Sequence, residues 1–392
     1  MSVECSPAPP TAAAQRGDAA PAGRARAWLD VDLAALVRNA RRVRERAGVP
    51  LVAMVKAEAY GLGATPVARA LLPLGPRHVW GLGVASVAEG AALREAGIDA
   101  RILIFTPLVG DDLARAAGAG LTPSLHRPDD VRRWAACRGG AWHLAIDTGM
   151  ARAGVRWDAL DDDLLGAVRA HPPEGAYTHF HSAERADGTR ETQAARFRAA
   201  LERLPARPSV VHAENSPAIA RGGRSPWDLA RPGLYLYGAS CVDDDGTPGR
   251  ATHDDVLGPP EPVAHLRARV VDLRDLRAGE SVSYGGTWRA PGPRRIATVA
   301  AGYADGYRRA LSGRGVALVR GHEAPVVGRV TMDMTMLDVT DAPCAVGDAA
   351  TLLGRDGDRV LTVDDVARRG DLSPYELLTG LRLRVPHLYS AA

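Results

Sequence analysis

The sequence has almost no lysine. Of its 49 lysine and arginine side chains only one, Lys56, is lysine. Where a plain cation suffices this chain uses arginine, so a retained lysine is expected to do what arginine cannot. Lysine can lose its proton and attack a carbonyl, whereas arginine stays protonated. The alternative is a chance surface lysine. Cysteine is scarce too: Cys5, Cys137, Cys241 and Cys344 lie far apart without CxxC spacing. That excludes a cysteine-based zinc site and a disulfide framework, and fits a reducing cytoplasm. No run of 18 apolar residues occurs, so no membrane-spanning helix is expected. Charge is balanced: the net value is +3 with 49 basic and 46 acidic residues. This gives no reason to expect a nucleic-acid or membrane partner. Residues 1–26 are rich in Ala and Pro and lack a continuous apolar core, which predicts a disordered tail and not a signal peptide.

What is present suggests two domains in 392 residues. The spacing of Leu33, Leu36, Val37, Ala40 and Val43 predicts an amphipathic helix over Asp30–Ala47. Short apolar runs then alternate with Arg/Ala-rich helical stretches. They are 51–56, 79–86, 101–107, 122–126, 141–149, 175–183, 209–215 and 234–238. Eight apolar strands alternating with helices predict a (β/α)8 barrel over residues 27–242. Residues 243–262, rich in Asp, Gly and Pro, read as a linker. Beyond them, β-rich runs separated by turns predict a mostly antiparallel β domain over 263–392.

In a barrel, chemistry gathers at the C-terminal ends of strands. Lys56, Asp147, His179 with His181, and Asn215 with Ser216 all fall at such ends. A lysine there could form a Schiff base directly with a substrate, or carry pyridoxal phosphate. The small residues and glycines after Lys56 favour the cofactor, because they let backbone and the Tyr60 hydroxyl approach a ligand closely. A metal held by His179, His181, Glu184, His212 and Glu214 is a further possibility, since two histidines in His-x-His spacing share a strand face.

Several segments carry a closer resemblance. VKAEAYGLGA (55–64), IDTGMARAGV (146–155), THF (178–180), NS (215–216), RPGLYLYG (231–238), SYG (283–285), GYADGY (302–307), GRVTMDM (328–334) and RVP (384–386) occur in this order. In motif, order and spacing the chain resembles the alanine racemases. The resemblance implies pyridoxal phosphate as cofactor, a small amino acid as substrate and a head-to-tail homodimer with shared active sites. It implies that Lys56 holds the cofactor and acts as one base, with Tyr284 from the partner subunit as the other. Racemisation needs two bases on opposite faces of a planar carbon. Arg231 would face the ring nitrogen, supported by His179. Tyr60, Ser216 and the amides of Gly233 and Leu234 would hold the phosphate. Arg152 would bind the substrate carboxylate, with Met332, Asp333 and Tyr303 entering or lining the partner's site. Taken alone, an arginine, a buried histidine and a methionine are more often ordinary surface or core residues.

Three departures from that pattern involve four positions. Ala145 stands where many members have a lysine that becomes a carbamate, so Arg152 lacks its usual anionic partner; a chloride, a water or another carboxylate is expected to replace it. Glu58 and Leu62 replace an asparagine and a histidine. If buried, Glu58 must be paired or protonated, with Arg152 or Arg231 as candidate partners. Leu383 replaces a tyrosine found in some members. These changes leave the substrate open among alanine, serine and larger amino acids. Within enzymes the rivals are a decarboxylase or deaminating lyase on the same fold, neither of which needs Tyr284. A non-catalytic cofactor-binding protein would resemble the barrel alone.

Overall fold

The computed structural model describes residues 25–241, 257–381 and 384–390. Most of the predicted tail, most of the linker and Leu383 therefore lie outside the described residues, while Arg26 at the tail's end is held by the Ala300 carbonyl and the Asp305 carboxylate.

The chain opens with β1 (Ala27–Val31) and a helix over Leu33–Ala47. Asp32 caps that helix by accepting from the Ala35 amide at 2.8 Å, and Gly48 ends it at φ 72°. The predicted helix over Asp30–Ala47 is thus three residues too long at its start. Asp30 and Val31 belong to a strand.

Eight parallel strands follow in a closed ring: β2 (Leu51–Met54), β3 (Val79–Val84), β4 (Ile102–Ile104), β5 (Thr122–Leu125) and β6 (His143–Asp147). A two-residue strand β7 (Val155–Arg156) pairs only with β6. The ring continues through β8 (Gly175–Tyr177), β9 (Val210–Asn215) and β10 (Leu229–Arg231). Pairing of Ala230 with Leu51 closes it. The expected barrel is present. One strand was misplaced: residues 234–237 form a 3-10 turn, and the eighth strand is β10. Leu234–Tyr237 is fully apolar because it packs inside the molecule, not because it pairs in the sheet.

The second sheet is built on β11 (Ala264–Leu276), whose burial alternates along its first half as a one-sided strand requires. A short hairpin joins β12 (Ser281–Val282) to β13 (Trp288–Arg289). Around β11 stand β14 (Arg294–Val299), β15 (Val316–Val319), β16 (His322–Pro325), β17 (Thr335–Asp338), β18 (Ala349–Asp356), β19 (Arg359–Leu361) and β20 (His387–Tyr389). Pairing is antiparallel except between β1 and β20. Residues 27–31, expected in the barrel domain, therefore belong to this sheet, and the chain enters the barrel through it. Two short helices, Val363–Gly370 and Pro374–Thr379, also lie in this half and were not anticipated.

The last linker residues are held down. Asn39, fully buried, donates to the Glu261 carbonyl at 2.9 Å and accepts from its amide at 2.9 Å.

Candidate functional site

Strand β2 delivers Lys56 to the C-terminal mouth of the barrel. Beyond it the backbone turns the wrong way: Ala57, Glu58, Ala59 and Tyr60 all have φ between 51° and 58°. Each left-handed residue costs about 1–2 kcal/mol, so the turn needs anchoring. Glu89 provides it. Its two carboxylate oxygens accept from the amides of Ala57 at 2.9 Å and Ala85 at 2.6 Å. The left-handed turn buries Tyr60, whose ring stacks on Tyr237 with centroids 4.7 Å apart.

Strand β10 delivers Arg231, which is buried. One terminal nitrogen donates to Nδ1 of His212 at 2.8 Å. The other donates to the carbonyls of Thr178 at 2.7 Å and Ala213 at 2.9 Å. Its guanidinium lies over the rings of Tyr177 and Phe105, 5.3 and 5.7 Å from their centroids. After Arg231 the chain turns at Gly233, whose amide donates to Ser216 Oγ at 2.9 Å. A Cβ on Gly233 would stand 2.3 Å from the Tyr60 hydroxyl, so only glycine leaves that space open.

These elements enclose a cavity of about 240 Å³. Of the residues singled out from sequence, Lys56, Tyr60, Arg152, His179, Ser216, Arg231, Gly233 and Leu234 line it together. Tyr284, Tyr303, Met332 and Asp333 do not. They lie on the β domain, with Tyr284 72% exposed and Met332 53% exposed. Asp333 pairs with Arg384, and the Tyr303 and Ala304 amides donate to the Thr331 and Met332 carbonyls at 3.0 Å.

The cavity is cationic. Burial lowers the pKa of Lys56, and Arg152 and Arg231 lower it further against the opposing pull of Glu89. Burial pushes His179 down to about 3, with Arg231, Arg152 and Lys56 adding to the effect, so its ring is neutral. Burial also lowers Arg231, to about 10. Tyr60 moves the other way, burial raising its phenol above the ordinary range.

The departures divide. Ala145 lines the cavity near Arg152. Among the described residues Arg152 makes no hydrogen bond or ion pair, and the nearby Asp147 carboxylate accepts instead from the Gly149 and Ala151 amides. No carboxylate has replaced the missing partner. Glu58 is exposed and accepts from the Ala64 amide at 3.0 Å. It pairs with neither Arg152 nor Arg231, because the left-handed turn points it outward. The candidate metal cluster does not assemble: His179 and His181 lie beyond the end of β8, and His212 is committed to Arg231. Among the described residues no three His, Cys, Asp or Glu side chains gather to hold a metal ion.

Sequence reasoning missed three aromatic residues of the cavity. Phe105 and Tyr177, in edge-to-face contact with each other, both lie against the Arg231 guanidinium, and Tyr375 reaches in from the helix Pro374–Thr379. Phe105 and Tyr177 sit at or next to strand ends, a signal that was available. Nothing local marks Tyr375.

Comparison with known proteins agrees with this geometry. The profile described as alanine racemase, N-terminal domain, matches residues 31–241, and that of the C-terminal domain matches 263–389. An alanine racemase of Deinococcus radiodurans is 39% identical over 364 residues, covering 92% of this chain and 98% of its own. One from Syntrophobacter fumaroxidans is 37% identical over 369 residues, covering 90% and 94%. Among solved structures, alanine racemase from Streptomyces coelicolor A3(2) superposes with a TM-score of 0.83 at 34% identity, covering 94% of this chain and 98% of its own. That from Bartonella henselae, with covalently bound pyridoxal phosphate, gives 0.79 at 29% identity, covering 93% and 100%. With both of its domains matched, the chain belongs to the alanine racemase family.

Proposed function

We propose that this protein is a pyridoxal-phosphate-dependent racemase that interconverts L- and D-alanine, acting as a cytoplasmic homodimer that supplies D-alanine. The observation that carries the reading is the position of the only lysine. Lys56 stands at a barrel strand end and lines the cavity together with Arg152 and Arg231, whose charges both act on its amine.

The cavity residues fit the cofactor. A desolvated lysine beside two cations keeps a larger neutral fraction, as attack on an aldehyde needs. The space left by Gly233, beside the Tyr60 and Ser216 hydroxyls, suits a phosphate. When bound, pyridoxal phosphate supplies an aldehyde that condenses with the substrate amine and a ring that withdraws electrons from the α-carbon.

The chain's own groups then do the rest. Lys56 takes or returns a proton at Nζ on one face of the α-carbon. Arg152, without a protein partner, is free to hold the substrate carboxylate through paired N–H donors. Arg231 can only donate and does not give up its proton readily, so it leaves a facing ring nitrogen unprotonated. That restrains delocalisation and discourages side reactions. The second base belongs on the other face, and Tyr284 is the candidate. It is absent from its own chain's cavity and exposed, next to Ser283, whose hydroxyl donates to the Arg329 carbonyl at 2.7 Å. Tyr284, Tyr303, Met332 and Met334 are exposed large apolar side chains of the β domain, available to enter a second copy. A decarboxylase or lyase has no use for such a tyrosine.

The test is α-proton exchange. The loaded protein is incubated with single L-amino acids in D2O, followed by NMR and chiral analysis. The racemase reading expects loss of the alanine α-proton signal with D-alanine accumulating. Exchange on another amino acid alone would move specificity to the Ala145 region. Bound cofactor without exchange on any amino acid would overturn the reading.

A further inference from the structure

The interior of a (β/α)8 barrel is ordinarily filled by branched apolar side chains. Here a column of polar groups runs down it. Arg231, at the cavity, bonds His212 Nδ1 at 2.8 Å. His212 Nε2 lies 2.8 Å from His143 Nδ1. Beyond it, His143 Nε2 faces the Glu174 carboxylate at 3.7 Å. Both histidines are fully buried. His143 is the first residue of β6 and Glu174 immediately precedes β8, so the column ends at the face opposite Lys56. There Glu174 meets Arg101 at 3.1 Å.

The protons in this column have one possible arrangement. Arginine only donates, so His212 Nδ1 accepts and its proton sits on Nε2. His143 Nδ1 then accepts, and its proton sits on Nε2, aimed at Glu174. Both rings are neutral, and every dipole points its negative end at Arg231. His143 Nε2 and Glu174 Oε2 are the unpartnered buried atoms that face each other at the end. The packing makes room for this: a Cβ on Gly175 would lie 2.5 Å from the His143 ring. Tyr177 stacks on His212 with centroids 5.2 Å apart and planes within 7°. Arg231 has no carboxylate in ion-pair contact among the described residues, and a buried cation needs compensation.

We propose that Glu174, on the barrel face opposite the cavity, is a positioning residue for the reaction: through His143 and His212 it orients Arg231 and balances its charge. Aligned hydrogen bonds in a low-dielectric interior polarise one another, which lets a carboxylate act at this range. The kinetic consequence rests on the racemase reading. The arrangement of protons does not.

The experiment uses the full chain labelled with 15N-histidine, with and without pyridoxal phosphate. Two rings are expected to show an accepting Nδ1 and a protonated Nε2 throughout pH 5–9. Glu174→Gln keeps an acceptor and removes the charge. It is expected to shift those two signals and lower kcat about three- to tenfold, with KM for alanine and the thermal midpoint unchanged. A proton on Nδ1 of either responding ring, or unmoved signals with unchanged kcat, would overturn the proposal. If Glu174→Gln does not fold, Arg101→Gln perturbs the same carboxylate from the exposed side. The same two signals must move, and unmoved signals overturn the proposal. Absence of α-proton exchange in the unaltered protein, with both signals still responding to Glu174→Gln, would overturn the racemase reading and leave the column standing.

Discussion

At position 233 a single methyl group decides whether the cavity keeps its shape. Alanine there would bring Cβ within 2.3 Å of the Tyr60 hydroxyl, and Tyr60 cannot retreat because its ring is stacked on Tyr237. Overpacking of this kind costs about 1–3 kcal/mol. Gly233→Ala is therefore expected to weaken cofactor binding about tenfold or more, in line with about 1.4 kcal/mol per decade. Titration of the apoprotein with pyridoxal phosphate, followed by tyrosine and tryptophan fluorescence, measures it; unchanged affinity would show that Tyr60 and Gly233 do not hold the phosphate. Lys56 and Arg152 tell a related story. Each has the chemistry its family position implies, yet the Lys56 amine is tuned by burial and by neighbours brought from distant strands.

The element that presents Lys56 is a strand end followed by four left-handed residues, none of them glycine. Its conformation is held from outside by Glu89, in the helix Val87–Glu95. Glu89→Ala leaves the Ala57 and Ala85 amides without their acceptor, which costs about 1–3 kcal/mol. The expected result is a lower thermal midpoint together with reduced cofactor loading, because the same turn carries Lys56 and Tyr60. Glu89→Gln retains one acceptor and should recover part of both. Loss of stability with full loading in Glu89→Ala would mean that the turn keeps its shape unaided. β1 gives a second example at this scale: all five of its residues pair with β11 on one edge and Leu29–Val31 pair with β20 on the other, so the two halves of the chain are stitched together at the start.

For the whole molecule, the proposed sharing of sites between two subunits has a countable consequence. Lys56→Ala and Tyr284→Phe should each be inactive alone. Mixed and allowed to exchange subunits, half the dimers are hybrids, and each hybrid holds one intact site. About a quarter of the activity of the unaltered protein should return, by the symmetry of a two-fold assembly. No recovery after verified exchange would place both bases in one chain. Stability carries a pH signature as well. Burial holds His143, His179 and His212 below the ordinary imidazole value of 6.5, His179 at about 3. The unfolded chain binds protons at these rings as pH falls below that value, while the folded chain does not. This contribution to stability is present above pH 6.5 and declines below it, by about 2 kcal/mol for His179 between pH 6.5 and 5, with His143 and His212 acting in the same direction. The urea midpoint at pH 7.5 and at pH 5 measures this, and a higher midpoint at pH 5 would contradict it.

Local sequence alone was enough to read the barrel, the second β-rich half and the lysine that lines the cavity. Period and composition are local properties, and a lone lysine at a strand end is visible without any fold. Eight cavity residues were legible because they sit in motifs near strand ends or in the turns that follow. Tertiary structure decided what depends on distant neighbours. It put β1 in the wrong half for its place in the chain, since pairing partners 230 or more residues away cannot be read from five residues. It turned Glu58 outward, through backbone angles that side-chain chemistry does not announce. Among the described residues it left Arg152 without a carboxylate partner, and it lined up His212, His143 and Glu174 behind Arg231. His212 and His143 lie on different strands and Glu174 just before a third, and only closure of the barrel brings their polar atoms together in the interior.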